Sequence, residues 1–158
     1  MGVAMTRLEV GDTAPNFTLK DEHGEKLTLK DLRGSRVVLY FYPADDTPGC
    51  TKEACQFNDE LSAFTKLGVL VLGISPDGAQ AHQAFKKKYG LNFALLSDPD
   101  KTVMAKYGAF GEKMLYGKKV NGVIRSTFVI SPTGRIEHAF YNVRADGHAA
   151  KVLATLES

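Results

Sequence analysis

The 158-residue chain contains no tryptophan and only two cysteines, and each scarcity narrows what it can be. Two cysteines cannot supply the disulfide framework on which small secreted domains depend. A chain of this length does not need one, because it can bury a core of its own. No apolar run approaches the roughly 20 residues that span a bilayer. Residues 1–12 also lack the apolar stretch of roughly 7 to 15 residues that a secretory signal requires. An excess of one charge is missing too: Lys plus Arg is 20 and Asp plus Glu is 18, a net of +2, too little to argue for nucleic acid or an anionic membrane as partner. The four histidines, His23, His82, His138 and His148, show neither the spacing nor the neighbouring cysteine pair of a zinc site, apart from Cys50 and Cys55 themselves. The expectation is one water-soluble, cytoplasmic domain over residues 1–158 that uses no metal and no other cofactor.

Two short matches carry little. The opening Met1-Gly2-Val3-Ala4-Met5-Thr6 fits the loose myristoylation pattern, but Met5 is an equally good start, which would make residues 1–4 an added segment and residues 1–5 disordered or non-native. Asn16-Phe17-Thr18 is a glycosylation triplet, which has no meaning without secretion.

Hydrophobic patterning outlines an α/β protein. Residues 17–19 and 26–29 read as two short strands around the turn residues 21–24, an amino-terminal hairpin. Residues 37–42, VVLYFY, form a continuous apolar run, as in a central strand covered on both faces. Residues 50–66 follow helical periodicity, residues 69–74 read as a second buried strand, and residues 79–89 form a helix ending at Gly90. A strand at 93–96 and a helix at 101–107 follow, and the glycine-rich stretch 108–122 reads as a surface loop. Residues 123–130 and 135–141 form a hairpin around Ser131-Pro132-Thr133-Gly134, and residues 146–156 a closing helix. This order implies an α/β sandwich with a mixed sheet.

The densest chemistry lies in residues 43–55, PADDTPGCTKEAC, directly after the central strand. With Thr47 as helix N-cap, Pro48 takes the first helical position and Cys50 the third. Unpaired N–H groups and the positive end of the helix dipole gather there, and both favour a thiolate over a thiol. Glu53, read as part of the same first turn, opposes this, so a cation is needed nearby. At about 100° per residue, Cys50 shares a core-facing stripe with Ala54, Phe57, Leu61 and Phe64, whereas Cys55 points about 140° away, toward water. Five residues of helix separate their Cα atoms by roughly 8 to 9 Å, beyond the ~7 Å limit for a disulfide. The two can pair only if the first turns unwind, so a transient bridge suits the spacing better than a static one. The bland readings stay open at this point: Cys50 as an inert small hydrophobe, Cys55 as incidental, Thr47 as a cap and nothing more. Tyr40, Phe41 and Phe57 read as core.

Residues 43–50 match the P-x-x-x-T-x-x-C signature of the peroxiredoxins, and the continuation to Cys55 resembles the bacterioferritin comigratory protein branch, also called peroxiredoxin Q. Residues 11–17 (GDTAPNF) and 125–130 (RSTFVI) are similar to that family in the right order. The turn at Ser131 departs from it, since the family often opens this turn with aspartate. The resemblance implies a thioredoxin-like fold, with Cys50 as the peroxidatic and Cys55 as the resolving cysteine. It implies that Thr47 hydrogen-bonds the thiolate and peroxide, that Arg125 is the required cation and pairs with Glu53, and that Pro43 shields the sulfur. The implied activity is reduction of hydrogen peroxide and organic hydroperoxides, with thioredoxin or a similar dithiol as reductant and a monomer as the working unit. A general thiol-disulfide oxidoreductase on the same fold is the alternative, against which stands the absence of a C-x-x-C pair.

Overall fold

Strand β3 (Arg36–Phe41) lies inside a seven-stranded sheet because every residue from Val37 to Phe41 is apolar and no more than 1% exposed. It runs parallel to β4 (Val69–Ser75) on one side and antiparallel to β8 (Ser126–Ile130) on the other. Beyond β4 comes the parallel β5 (Ala94–Ser97), then the amino-terminal hairpin of β1 (Thr18–Lys20) and β2 (Lys26–Thr28), joined to β5 through Lys20 opposite Ser97. Strand β9 (Ile136–Phe140) closes the far edge. The mixed sheet and the hairpin expected from the sequence are both present. The computed structural model describes residues 7–157, so the reading of residues 1–5 as disordered or non-native falls outside it.

Alternation along β3 divides the interior into two cores. Val37, Leu39 and Phe41 pack with Leu72, Ile74, Met104, Tyr107 and Phe128 on one face. Val38 and Tyr40, with Tyr42 just past the strand, pack on the other face with Cys50, Phe57, Phe64, Phe85 and Val152. That second face is covered by helices α1 (Pro48–Asp59), α2 (Leu61–Lys66), α3 (Ala79–Tyr89) and, after the short α4 (Thr102–Lys106), α5 (His148–Glu157). Among the described residues no helix is long and apolar enough to cross a membrane.

Three sequence expectations need correction. The helix read over residues 50–66 is two helices. The chain leaves the helical region at Glu60 (φ −93°, ψ 2°), where Asn58 turns aside to donate to the Gly90 carbonyl and accept the Asn92 amide, tying the end of α1 to the loop after α3. The stretch 108–122, read as a loop, holds a separate hairpin of β6 (Phe110–Leu115) and β7 (Lys118–Val123). Its turn residues Tyr116 and Gly117 both have positive φ, 51° and 77°, as a two-residue hairpin turn requires. The hairpin stands apart from the main sheet, so its strands carry no alternating core pattern to read. Consequently Val123 ends β7 rather than starting the next strand, and Arg125 sits in the short link to β8.

Candidate active site

Strand β3 delivers the chain to the mouth of the second core, and a polar network holds the loop that follows. The Tyr42 hydroxyl donates to Asp45 Oδ1 (2.5 Å), while Asp45 Oδ2 lies 2.6 Å from Nδ1 of the fully buried His82. The other ring nitrogen of His82 is 3.0 Å from the Leu96 carbonyl, and the Asp45 amide donates to Asp77 Oδ2 (2.7 Å). Asp46, at φ 57°, accepts from the Tyr89 hydroxyl (2.6 Å) and from Lys88 (2.8 Å). Pro43, where the strand gives way to this loop, is half-buried.

Thr47 then takes the N-cap position in extended geometry, with Pro48 at the first helical position, as expected. Its hydroxyl does not cap the helix. It donates instead to the Ala44 carbonyl (2.9 Å), closing the loop on itself. The first amide of the helix to find a backbone partner is that of Thr51, which donates to the Thr47 carbonyl (2.8 Å). The amides of Gly49 and Cys50, at the second and third helical positions, have no intrahelical acceptor.

Cys50 is 1% exposed and its Sγ accepts from Arg125 Nη2 at 3.3 Å. The other arm of the same guanidinium, Nη1, donates to Glu53 Oε1 at 2.6 Å, so one planar fork spans sulfur and carboxylate. Glu53 lies one turn past Cys50, beyond the first helical turn in which the sequence reading placed it. It is fully buried, and burial pushes its carboxyl up to about 7 against the pull of Arg125. Burial alone would lower Arg125, but the charges of Glu53 and Cys50 outweigh it and hold the guanidinium firmly protonated. Gly49 permits this approach: a Cβ there would meet Arg125 Nη2 at 3.2 Å. Beneath the site, the Tyr40 hydroxyl and Glu53 Oε2 are buried and find no hydrogen-bond partner among the described residues. The Tyr40 phenol is driven well above its ordinary range by burial and by the neighbouring Glu53 and Cys50 charges.

Cys55 stands apart from this cluster. Both cysteines are free thiols. Cys55 is half-buried rather than facing water outright, and burial together with the Asp59 charge raises its thiol pKa. The geometry therefore joins the buried Cys50 and Glu53 through the partly exposed Arg125, sets Thr47 and Pro43 in the loop leading to them, and leaves Cys55 on another side of α1.

The AhpC/TSA family model matches residues 10–139, a span that contains the whole cluster. The chain belongs to that family. Within it, this chain is a peroxiredoxin of the Bcp and peroxiredoxin Q type. It is 44% identical over 153 residues to peroxiredoxin Bcp of Escherichia coli K12, covering 97% of this chain and 98% of that one. A crystal structure of a PrxQ variant from Xylella fastidiosa superposes with a TM-score of 0.89 at 38% identity, covering 96% and 97% of the two chains. Bacterioferritin comigratory protein of Xanthomonas campestris, described for its alkyl peroxide reduction activity, gives 0.84 at 41% identity over 89% and 90%. The fold is thus thioredoxin-like, as these peroxiredoxins are, and the enzyme class is that of a thiol peroxidase.

Sequence reasoning did not single out Asp45, His82 or Gly49. His82 lies three residues before Phe85 on the buried face of α3, so its burial was legible from helical spacing. Its carboxylate partner, 37 residues away, was not. Gly49 falls between Pro48 and Cys50 at the helix start, but the tight contact that a side chain would make there is with an arginine 76 positions further along the chain.

Proposed function

We propose that this peroxiredoxin reduces hydrogen peroxide and organic hydroperoxides through Cys50, resolves through Cys55, and is recycled by thioredoxin or a similar dithiol. The observation that carries this reading is the single guanidinium of Arg125 bridging Cys50 Sγ and Glu53 Oε1. The nucleophile in such a reaction is a thiolate, and a fixed positive charge lies 3.3 Å from this sulfur. The thiolate attacks the terminal peroxide oxygen, the O–O bond breaks, and the leaving oxygen takes a proton to depart as water or alcohol, leaving Cys50 as a sulfenic acid. Arg125 and the free amides at the helix start are placed to stabilise the charge that grows on the departing oxygen. Thr47 orients peroxide from the loop, Pro43 limits water at the sulfur, and Glu53 orients Arg125.

Cys55 then attacks the oxidised sulfur. The S–O bond breaks as the S–S bond forms, and water leaves. Exchange with an external dithiol restores both thiols. The alkyl peroxide activity of the Xanthomonas relative supports organic hydroperoxides as substrates. A bridge within one chain needs no second subunit, which favours a monomer, and a cycle that ends in two thiols suits the reducing cytoplasm. The test is peroxide consumption coupled to thioredoxin, together with a peptide map after one equivalent of hydrogen peroxide. Cys50→Ser should abolish consumption, and the wild-type map should join Cys50 to Cys55. Full activity in Cys50→Ser sinks the reading.

A further inference from the structure

Resting on that reading, we infer that Gln56 is a positioning residue that times the Cys50–Cys55 disulfide. The residue next to Cys55 uses both ends of its amide to bind α1 to the start of α5. Gln56 Nε2 donates to Asp146 Oδ1 (2.8 Å), and Gln56 Oε1 accepts the Gly147 amide (2.8 Å). Gly147 is the residue whose carbonyl takes the first turn of α5, from the Lys151 amide at 3.2 Å. The far oxygen of Asp146 faces Lys52 at 3.9 Å, so the clamp lies along the flank of α1 that carries Lys52 and Gln56, one turn apart.

Where α1 unwinds is set by what holds it. Phe57, one residue after Gln56, is fully buried, with its ring stacked on Tyr40 at 4.6 Å between centroids and meeting His148 edge-on at 6.1 Å. Extracting that ring would open the second core, so Phe57 stays in place while the first turns unwind. On the other side, Cys55 must leave its helical position, since helix geometry keeps its Cα roughly 8 to 9 Å from that of Cys50. The boundary between moving and fixed backbone therefore falls at Gln56, and the amide clamp is what ties that boundary to α5.

The wound helix is the form in which Cys50, Arg125 and Glu53 are assembled. The unwound form is the one in which Cys55 reaches the Cys50 sulfenic acid, forming S–S and releasing water. The clamp favours the first and so lengthens the life of the sulfenic acid. During that interval a second hydroperoxide can transfer its oxygen to the same sulfur, giving a sulfinic acid and the corresponding water or alcohol, a dead end for this cycle. Gln56 thereby sets the ratio of turnover to inactivation without touching peroxide.

Rapid-mixing kinetics separate the two steps, because oxidation of Cys50 depends on peroxide concentration and disulfide formation does not. For Gln56→Ala we expect disulfide formation to accelerate roughly threefold to tenfold, the scale of one or two exposed hydrogen bonds. The peroxide concentration that half-inactivates the enzyme should rise by a similar factor, while the peroxide-dependent step stays within about twofold of wild type. Gln56→Glu sets a carboxylate against Asp146 and should also accelerate. Combining Gln56→Glu with Asp146→Asn reverses the polarity of the clamp and should restore the wild-type rate, which a merely structural role for Gln56 does not predict. Asp146→Ala, at an exposed position outside α1, removes half of the clamp and serves if the Gln56 variants fold poorly; an intermediate acceleration is expected. A wild-type peptide map without a Cys50–Cys55 bridge would overturn the proposed function itself. A normal bridge, formed at the wild-type rate in the folded Gln56 or Asp146 variants, would overturn only the role of Gln56.

Discussion

Arg125 is tested best by a change that keeps its charge. In Arg125→Lys the ammonium remains cationic but lacks the planar fork, so it cannot span Cys50 Sγ and Glu53 Oε1 together as the guanidinium does. Losing one charge-assisted hydrogen bond of roughly 1.5 to 3 kcal/mol predicts about a tenfold to hundredfold slower reaction of Cys50 with peroxide, read from the peroxide-dependent phase in rapid mixing. A rate within twofold of wild type would show that charge alone suffices. Gly49→Ala approaches the same contact from the other side. Its new methyl would lie 3.2 Å from Arg125 Nη2, so the guanidinium must shift, and a smaller loss in the same phase, about threefold to tenfold, is expected. Arg125 was legible in the sequence only through its setting in RSTF, because nothing about an arginine in a link between strands reveals that its partners lie 72 and 75 positions earlier. Thr47 was legible as a cap, since Thr before Pro has a strong local preference. The direction of its hydroxyl depends on the turn made by residues 43–47, which no pairwise spacing encodes.

At the scale of elements, the loop before α1 is held by charge and hydrogen bonds rather than by apolar contacts. Asp45→Ala would leave the Tyr42 hydroxyl and the His82 Nδ1 in a nearly dry interior without their common acceptor. Leaving a buried polar group without its hydrogen-bond partner costs roughly 1 to 3 kcal/mol. The urea midpoint of Asp45→Ala should fall accordingly, and the peroxide step should slow with it because the same loop carries Thr47. A midpoint equal to wild type would mean that water replaces the carboxylate without cost. Elements that insert an apolar face into either core were readable from pattern alone: β3 from its unbroken run, α3 from its period and from Gly90 at φ 65°. Elements without such a face were not. The β6–β7 hairpin makes its own hydrogen bonds away from the main sheet, and the break between α1 and α2 is set by Asn58 reaching the loop at 90–92. The break depends on partners more than 30 positions away, whereas the hairpin pairs locally but shows no core-facing alternation.

Across the whole molecule, two buried titrating groups pull the pH dependence of stability in opposite directions. Glu53 is raised by burial from its ordinary 4.5 to about 7. The native state therefore holds this proton more tightly than the unfolded chain, and the corresponding stability is fully present below pH 4.5 and lost as pH rises through 7. His148, whose Nε2 lies 2.8 Å from the Thr127 hydroxyl, is lowered to about 4 from 6.5, chiefly by burial and then by the Lys151 and Arg125 charges. Its stability contribution is present above pH 6.5 and lost as pH falls through 4. Between pH 4.5 and 6.5 the two slopes oppose each other, so the wild-type urea midpoint should vary little from these groups. Single substitutions should separate them. Glu53→Gln leaves the histidine slope, with the midpoint climbing from pH 4.5 to 6.5, while His148→Gln leaves the carboxylate slope, with the midpoint falling from pH 4.5 to 7. The decisive observation is the opposite sign of the two slopes, which a loss of packing common to all pH values cannot produce. Parallel curves in the two variants would mean that neither group carries its shifted proton affinity in the folded protein. Glu53 would then be an ordinary ionised partner of Arg125 throughout the working range of the enzyme, so its charge would not change with pH beside the reacting sulfur.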